Sequence, residues 1–547
     1  MSDMVNRILQ CQAEMEGMRG NWESMWEHVA RLVLPRADDF RSKHSPGTQR
    51  NQQQYDAFPM QALSKFGAVL EAGLIPRTAM WHELSTGDDD LDEAHAVRLY
   101  LDELNQRLWD TRYNPRANFA SQAHEYLIGL GSFGTGCMLV EARAGGGIMY
   151  KNIHLSEVFI RENWEGMIDT VHRKFEMTAR QAVQTFKGDT PDKIMDKYNS
   201  GHGGEKFEFI HAVMPREDVD RNRLDAAGLP FQGVYIFSEG QQIIREDGYH
   251  EMPYIVSRYA VSSREVYGRS PAISLLPDIS MLNEMRRTTI EAANMAVDPP
   301  VLLPDDVMSE FDLQPGSRNY GAADDQGRPL AHPWNTGVNV GLGLEMIDDT
   351  RGQIDDGFLG AMFRVLIENP QMTATQALLV AQQQGQMTAP VVGRQQSEWL
   401  GPMIRRESGI LFRQGRHPEM PDEIREHLQN TRESLKIGYI SPMVRAARSE
   451  EAVSILRTFE TLAPIAQIDP TVYQQFDTLK VARIVADVNG VPAAALKSPE
   501  RIEQEQEADQ AQAALGAVLE AAPIAADTAK TLAEAQAASQ QPAPVAT

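Results

Sequence analysis

The sequence predicts an α+β fold that is predominantly helical. Amphipathic helical patterns fill the N-terminal part of the chain, short strand-like segments follow from Met138, and long helical patterns return after Asp278. The chain has 547 residues, of which 42% are hydrophobic, and this length suits roughly two to four domains. A segregated block of strands between helical blocks is typical of α+β architecture.

The N-terminal part reads as three helices. In the first, which we expect to end near Leu34, Trp22 and Trp26 recur at helical spacing, so we predict that they lie in the core. The other two are predicted in the segments QALSKFGAVLEAGLIP and AHAVRLYLDELNQRLWDTRY.

Eight short segments after Met138 predict β-strands, because β-branched and aromatic residues alternate with glycine-bearing turns. These segments are CMLVEA, GIMYKNI, EVFIREN, MIDTVHRKFEM, KFEFIHAVM, GVYIFSEG, QQIIRED and YIVSRYAV. One helix interrupts the strands, since Thr178 and Gln181 have the spacing of a capping box.

The segment YGRSPAISLLPDI predicts the launch and kink of a long helix. Gly268 opens the turn, Ser270 can cap the first helical turn, and Pro271 fits its first position. Pro277 should interrupt the helix, and Asp278 can cap a second helix of twenty residues. A nucleophile elbow is the alternative, but the pattern G-x-S-x-G fails two residues after the serine.

The second helix should run to Val297 with an apolar stripe that ends in small residues. At 100° per residue the stripe contains Leu282, Met285, Thr289, Ala293 and Ala296. A stripe that ends in alanine lets another backbone approach closely.

A later helical segment, EMIDDTRGQIDDGF, carries two pairs of aspartates seven residues apart. Its apolar face is formed by Ile347, Ile354, Phe358 and Val365. The aspartates are Asp348, Asp349, Asp355 and Asp356. In a monomer they would form a solvated face. A two-metal nuclease site is the alternative, although adjacent helical residues diverge by 100° and do not converge on a metal pair.

Other motifs of enzyme chemistry are incomplete. GLGSFG follows a predicted helix and precedes a predicted strand, the reverse of the dinucleotide-binding order. His82 lacks the second histidine of a zinc protease, and the acidic run at 88–90 lacks the ligand alternation of a calcium loop. No Walker A motif occurs. We therefore predict no enzyme activity, no catalytic residue, no cofactor and no metal.

Composition restricts the partners. The 52 basic and 76 acidic side chains give a net charge of −24, which argues against a protein that grips nucleic acid through phosphates. No segment approaches eighteen consecutive apolar residues, so we predict no membrane span. Two cysteines cannot make a disulfide framework, and we expect assembly in a reducing cytoplasm.

The order of several motifs, from about residue 7 to 500, resembles the portal protein, or head-to-tail connector, of T7-like short-tailed bacteriophages. The motifs are NWESMWEHVARLVLP, LEAGLIPRTAMWHEL, NFASQAHEYLIGLGSFGTGCMLVEA, YGRSPAISLLPDISMLNEM, DPPVLLPDD, NPQMTATQALL and YISPMVRAARSEEAVSIL. Each motif is modest alone, and their collinear occurrence is what makes the resemblance specific.

The resemblance implies a ring, usually a homododecamer, at one vertex of the viral capsid. It also implies a division into 1–269 as the wing, 270–297 as the first stem helix, 298–343 as the clip, 344–366 as the second stem helix, 367–375 as the tunnel loop, 376–449 as a kinked wing helix and its return, and 450–547 as a C-terminal helical crown or barrel with a flexible tail. Duplex genome DNA would pass through the ring without sequence specificity, during packaging and again during ejection. The implied protein partners are the packaging terminase and the tail adaptor, scaffolding and major capsid proteins, and the implied location is the virion, after assembly in the host cytoplasm.

The resemblance also assigns roles to individual residues. The tunnel loop, which would face the DNA channel, contains Glu368, Asn369, Pro370, Gln371, Met372 and Thr373. The clip, which would dock terminase and adaptor, contains Asp305, Asp306, Arg318 and Tyr320.

In such a ring the four stem aspartates would line the channel. Repulsion between these carboxylates and the DNA phosphates would then let the DNA slide with little friction, whereas basic residues would bind the phosphates and hold the DNA. Two alternatives stay open from the sequence: an adaptor of the tail or baseplate, and a metal-dependent packaging nuclease or ATPase.

Overall fold

The computed structural model describes residues 2–360 and 389–440, with gaps at 89–90, 93, 144, 221, 224, 303–311, 313, 315, 321–322, 324–325, 335–339 and 432–433, and a few isolated positions between 455 and 481. The chain divides into two compact units. The first contains Met1–Leu84, Tyr100–Met420 and Ile437–Glu450, and the second contains Ser85–Leu99, Pro421–Lys436 and Glu451–Thr547.

Long helices in the described residues before the first long strand are α1 (Ser2–Val33), α2 (Phe58–Leu74), α3 (His95–Arg112) and α4 (Phe119–Phe133). A short strand, β1 (His82–Ser85), lies between α2 and α3. Trp26 is fully buried and its indole N–H donates to the carbonyl of Phe133 over 3.2 Å. Trp22 is half-buried, with its ring 5.6 Å from that of Trp26. The core prediction is thus confirmed for Trp26 and partly met for Trp22.

All eight predicted strands are present, in two antiparallel sheets. They are β2 (Thr135–Ala142), β3 (Ile148–Ile153), β4 (Val158–Glu162), β5 (Ile168–Thr178), β6 (Lys206–Pro215), β7 (Phe231–Phe237), β8 (Gln242–Tyr249) and β9 (Tyr254–Arg258). The smaller sheet has the order β3-β2-β9, and the larger has the order β4-β5-β6-β7-β8.

Helices cover both faces of the larger sheet. On one face pack α5 (Ala179–Phe186) and α6 (Asp192–Asn199), around a core that includes Phe186, Phe207 and Phe209. On the other face Ile8 of α1 packs against alternate residues of β6 and β7. The capping box of Thr178 and Gln181 at the start of α5 is confirmed.

Further helices and strands of the described residues follow the sheets. They are α7 (Pro271–Ser274), α8 (Leu276–Val297), β10 (Val301–Leu302), β11 (His332–Pro333), α9 (Val340–Gly357), α10 (Gly401–Arg413), α11 (Asp422–Thr431) and β12 (Lys436–Tyr439). Residues 389–395 are helical and continue through a π-helical turn, Gln396–Leu400, into α10. A π turn interrupts the regular hydrogen-bond ladder of a helix. Residues 376–388, where the predicted kinked helix begins, lie outside the described residues, so its kink stays a prediction.

A buried ion pair joins α3 to α10. Arg112 and Glu407, both without exposed side-chain surface, form a bidentate pair, and the hydroxyl of Tyr150 on β3 donates to the same carboxylate over 2.6 Å. The ring of Trp81 lies 4.5 Å from the guanidinium. Removal of one partner would leave an uncompensated buried charge, so this cluster fixes how the helices pack.

The fold combines helices and sheets as predicted, and helices make up about half of the structure, whereas the sequence predicted a predominantly helical fold. The segment GLGSFG lies between a helix and a strand, as predicted. Gly134 ends α4 with a left-handed φ of 79° and leads directly into β2, whereas Gly129 and Gly131 lie inside the helix. A Cβ at Gly131 would approach the ring of Phe66 to 2.6 Å, so this glycine allows α2 and α4 to pack closely.

Candidate functional site

The launch turn before α7 is built around Ser270. Its hydroxyl accepts the N–H of Ile273 over 2.9 Å and donates to the carbonyl of Ser132 over 2.7 Å. Pro271 occupies the first helical position, where its missing N–H costs nothing. The predicted helix cap is confirmed, and a buried hydroxyl with both bonds in use cannot serve as an exposed nucleophile.

Gly268 lets the launch turn pack against the end of α4. A Cβ at this position would collide with the backbone carbonyl oxygen of Gly134. The N–H of Gly268 donates to the hydroxyl of Thr135 over 2.9 Å. This close backbone approach anchors the start of α7 to the smaller sheet.

The kink lies at Leu275, between α7 and α8. The second helix begins at Leu276, so the prediction that Asp278 caps it is wrong. Pro277 lies within the first turn of α8, where N–H groups have no intrahelical partner, so it starts the helix instead of interrupting it. Asp278 also lies in this turn, where a carboxylate is favoured by the helix dipole.

The helices α8 and α9 form an antiparallel pair. A Cβ at Gly357 would approach Leu275 to 2.5 Å, and a Cβ at Gly343 would lie 3.3 Å from the hydroxyl of Thr289. Leu275, just before α8, thus meets the end of α9, whereas Thr289, later in α8, meets Gly343 near the start of α9. Helix α9 starts at Val340, before the predicted residue 344, and ends at Gly357, before the predicted residue 366; Leu359 follows with a left-handed φ of 62°. Residues 361–366 lie outside the described part of the chain.

The pair buries apolar side chains near the start of α8 and along the middle and end of α9. The buried side chains are Ile279 and Leu282 on α8, Ile347 and Ile354 on α9, and Phe358 just after it. The predicted apolar face of α9 is confirmed for these last three, while Val365 lies outside the described residues. Along the predicted stripe of α8, burial falls from Leu282, which is fully buried, to Ala296, which is exposed.

The pair also exposes large apolar side chains along its length. These are Met281, Ile290, Met295 and Val297 on α8 and Leu344 and Met346 on α9. We refer to this set as the apolar stem surface. Val297, the last residue of α8, is 87% exposed.

Three of the four predicted channel aspartates are exposed. They are Asp348, Asp349 and Asp356. Asp355 is only 8% exposed, with an oxygen 3.6 Å from the amine of Lys65, so its assignment to the exposed acidic face is wrong. Its carboxylate lies beside Lys65 of α2, whereas Asp348, which follows the buried Ile347 in the same way, is exposed.

A bracing segment just before α2 holds both helices of the pair. Asp56, nearly buried, accepts from Arg351 of α9 over 2.8 Å. On α8 the amide of Asn283 accepts from the N–H of Tyr55 over 2.7 Å and donates to the carbonyl of Gln53 over 2.9 Å. Sequence reasoning missed this brace, because backbone partners more than 200 residues apart leave no local pattern.

The predicted clip and tunnel loop are only partly described. Strands β10 and β11 pair with Val301 opposite Pro333, and between them Tyr320 is 82% exposed and Arg318 is exposed. Asp305 and Asp306 lie outside the described residues. So do all six residues assigned to the tunnel loop, Glu368, Asn369, Pro370, Gln371, Met372 and Thr373, and nearly all of 450–547.

Buried histidines under the sheets are held by hydrogen bonds. His172 contacts the amide oxygen of Gln12 over 3.1 Å, and burial lowers its pKa to about 4. His211 contacts the hydroxyl of Tyr254 over 2.7 Å, and burial lowers its pKa well below the usual value. Burial raises the pKa of the Cys137 thiol to about 12. These groups are therefore uncharged at neutral pH and act in packing.

Within the described ranges, no group of three or more His, Cys, Asp or Glu side chains is arranged to hold a metal ion. Among the same residues no helix combines the length and the apolarity that a bilayer span requires.

An antiparallel helix pair that is anchored in an α+β body and exposes apolar and acidic surfaces fits a structural subunit of a larger assembly. Residues 5–496 match the model of the family described as bacteriophage head to tail connecting protein, and the chain belongs to that family. The resemblance found in the sequence motifs is thereby confirmed.

Two curated relatives extend over nearly the whole chain. The portal protein of Salmonella phage epsilon15 is 27% identical over 545 residues, covering 97% of this chain and 95% of that protein. The probable portal protein of Bordetella phage BPP-1 is 26% identical over 522 residues, covering 94% of this chain and 92% of that protein.

Solved structures give weaker similarity. A chain from the virion of a native gene transfer agent particle covers 60% of this chain and 73% of its own length at 9% identity, with a TM-score of 0.28. A chain from the neck of an empty gene transfer agent particle covers 64% and 80% at 9% identity, with a TM-score of 0.30.

Proposed function

We propose that this chain is a phage portal subunit. In this proposal twelve copies form a closed ring at one capsid vertex, through which genome DNA enters during packaging and leaves during ejection. Family membership over residues 5–496 and the names of two nearly full-length relatives support it. The protein acts as a structural conduit, not as an enzyme.

The observation that carries the proposal is the apolar stem surface. An isolated chain gains nothing by keeping Met295 and Val297 in water, since burial of such side chains is worth about 1.5–3 kcal/mol each. A ring gives each copy of the α8/α9 pair a neighbour on either side, which can cover this surface. Small residues such as Ala292 and Ala293 on the same half of α8 let neighbouring helices approach closely.

In the ring, the exposed carboxylates of Asp348, Asp349 and Asp356 line the channel. Their charge disfavours tight phosphate contacts, so DNA moves past without being held. With Asp355 paired to Lys65, twelve chains present 36 exposed channel carboxylates, three from each.

The remaining roles follow from chain order. The residues 367–375, after the second stem helix, are proposed as the tunnel loop that meets DNA. The clip around Arg318 and exposed Tyr320 is proposed to dock terminase first and the tail adaptor later. Scaffolding and major capsid proteins are proposed to place the ring in the shell, in the host cytoplasm, before the particle matures.

The test is co-assembly with capsid and scaffolding proteins from the same genome. A peptide tag on the chain, imaged by cryo-electron microscopy without imposed symmetry, should give extra density at a single vertex of each shell. Density at many vertices, or shells in which the tag is absent although the chain is soluble and folded, would contradict the proposal. A tag on the capsid protein serves as the positive control for labelling.

A further inference from the structure

The turn between β4 and β5 presents an exposed tryptophan. Trp164 is 91% exposed, and Met167 beside it is 59% exposed. Tryptophan is enriched at the centres of protein interfaces and is rarely left fully in water. We refer to residues 163–167 as the tryptophan turn.

The tryptophan turn is held in one conformation. The side chain of Asn163 accepts the N–H groups of Glu165 and Met167 over 3.0 Å each. A backbone bond of 2.8 Å runs from Asn163 to Met167, and Arg258 donates to the carbonyl of Gly166 over 2.9 Å. A rigid turn loses little conformational entropy when its tip binds, so Trp164 is suited to insert into a pocket.

A cavity of about 580 Å³ lies at the C-terminal end of α1. Its apolar walls include Pro35, Met60 and Ile128, and its polar wall includes Arg36 and Arg50. A cavity of this size accommodates an indole ring, since small-molecule pockets in proteins are about 300–1,000 Å³.

The polar wall of the cavity suits an aromatic ring. The residues that line the cavity include two arginines, each paired with a carboxylate that is not part of the lining. Arg36 donates to Glu125 and Arg50 to Asp39, and such in-plane bonds leave the flat faces of both guanidinium groups able to stack on an aromatic ring.

The turn and the cavity lie toward opposite ends of α1. Arg161, next to the turn, contacts Cys11 of α1 over 3.7 Å, whereas Val33 of α1 lines the cavity. These two helix positions are 22 residues apart, which corresponds to about 33 Å along the axis. A projecting group and a complementary pocket at opposite ends of one helix suit a head-to-tail contact between copies, which closes into a ring when the rotation fits.

We propose that Trp164 of one subunit inserts into the cavity beside Pro35 and Met60 of the next subunit, so that a second copy of this chain is the partner of the tryptophan turn. This contact rests on the proposed ring and adds a second interface, separate from the apolar stem surface. An indole buries about 150–250 Å², so it anchors a larger interface rather than forming one alone.

Photo-crosslinking tests the contact directly. Trp164 is replaced by p-benzoylphenylalanine, rings are assembled from a mixture of heavy- and light-isotope chains, irradiated, and the adducts are located by mass spectrometry. We expect adducts joining heavy and light chains at residues 33–36, 47–51 or 60–64. Rings whose adducts lie elsewhere, or which give none, would overturn this contact and leave the ring itself intact. Failure of the wild-type chain to form any ring would instead count against the proposed function.

Two variants provide a second measurement. Trp164→Ala removes the projecting side chain, and Ser64→Trp fills the cavity from an exposed position on α2. Each should raise the protein concentration at which half of the chains are in rings by about thirtyfold, the loss expected for an interface hot spot. Tyr198→Ala is the matched control, since Tyr198 is also an exposed aromatic residue but lies on α6, and it should leave this concentration unchanged. Equal behaviour of all three variants would overturn the proposal.

Discussion

Gly134 and Gly268 pack backbone against backbone, and neither position has room for a Cβ. This contact fixes the launch turn of the stem pair against the end of α4 and the start of β2. The orientation of α7, and of α8 after it, therefore depends on the absence of a side chain at both positions.

Gly268→Ala should destabilise the chain by about 1–3 kcal/mol, because the new methyl group meets a carbonyl oxygen that cannot move aside. Gly129→Ala is the matched control, since it lies inside α4 with nothing within 4 Å of its Cβ position, and it should stabilise by about 0.5–1 kcal/mol. Urea unfolding followed by circular dichroism measures both. Equal midpoints for the two variants would contradict the proposed close contact.

The brace from Asp56 should keep α9 ordered. Asp56→Ala removes the buried partner of Arg351, which keeps only the exposed Asp348, and also removes the oxygen that accepts the N–H of Phe58, so we expect a loss of about 2–3 kcal/mol. Hydrogen exchange of residues 340–357 should accelerate more than that of β6. The exposed Asp349→Ala should change stability by no more than about 0.5 kcal/mol. If the amide hydrogens of residues 340–357 exchange at the same rate in both variants, Asp56 does not brace α9.

Acid should weaken the fold through the buried histidines. The pKa of His172 is lowered to about 4 by burial, so the native state binds fewer protons than the unfolded chain below pH 6.5. The contribution of neutral His172 to the free energy of unfolding is present above pH 6.5. It is lost as the pH falls toward 4, by up to about 1.4 kcal/mol per pH unit. His211, with a pKa lowered in the same direction, adds to this loss.

Comparison of urea midpoints between pH 7 and pH 5 tests this linkage. His172→Gln should show a smaller fall than the wild type, because the substituted side chain does not titrate. His202→Gln, at an exposed position, should fall as the wild type does. If the urea midpoint falls equally in all three proteins between pH 7 and pH 5, His172 is not a source of acid sensitivity.

The acidic stem face should govern how fast DNA moves. Asp349→Lys with Asp356→Lys replaces two negative charges per chain by two positive ones next to the proposed DNA path, so packaging or ejection should slow, most strongly at low salt. Asp192→Lys makes the same kind of charge reversal on α6, away from the stem helices, and should leave the rate unchanged. Unaltered rates at low salt in the stem variant would remove the electrostatic argument.

Much of the fold could be predicted from local patterns. The strands and the Ser270 cap were visible because period-two alternation and capping residues act over a few positions. The start of α8 was misplaced because Pro277 is compatible with both a break and a first turn. The burial of Asp355 was missed because its partner, Lys65, is 290 residues away. The brace, the tryptophan turn and the cavity at the end of α1 likewise depend on tertiary contacts that no sequence window contains.

The central claim is that copies of this chain close into a ring with an axial channel. Native mass spectrometry and negative-stain electron microscopy of the same purified sample test it most directly. Twelve chains of 61.0 kDa give 12 × 61.0 = 732 kDa, and the account predicts this mass together with ring-shaped particles whose central hole admits duplex DNA. A ring of thirteen would still agree with a closed channel. A protein that stays monomeric or dimeric at high concentration, even with scaffolding and capsid proteins present, would contradict the account.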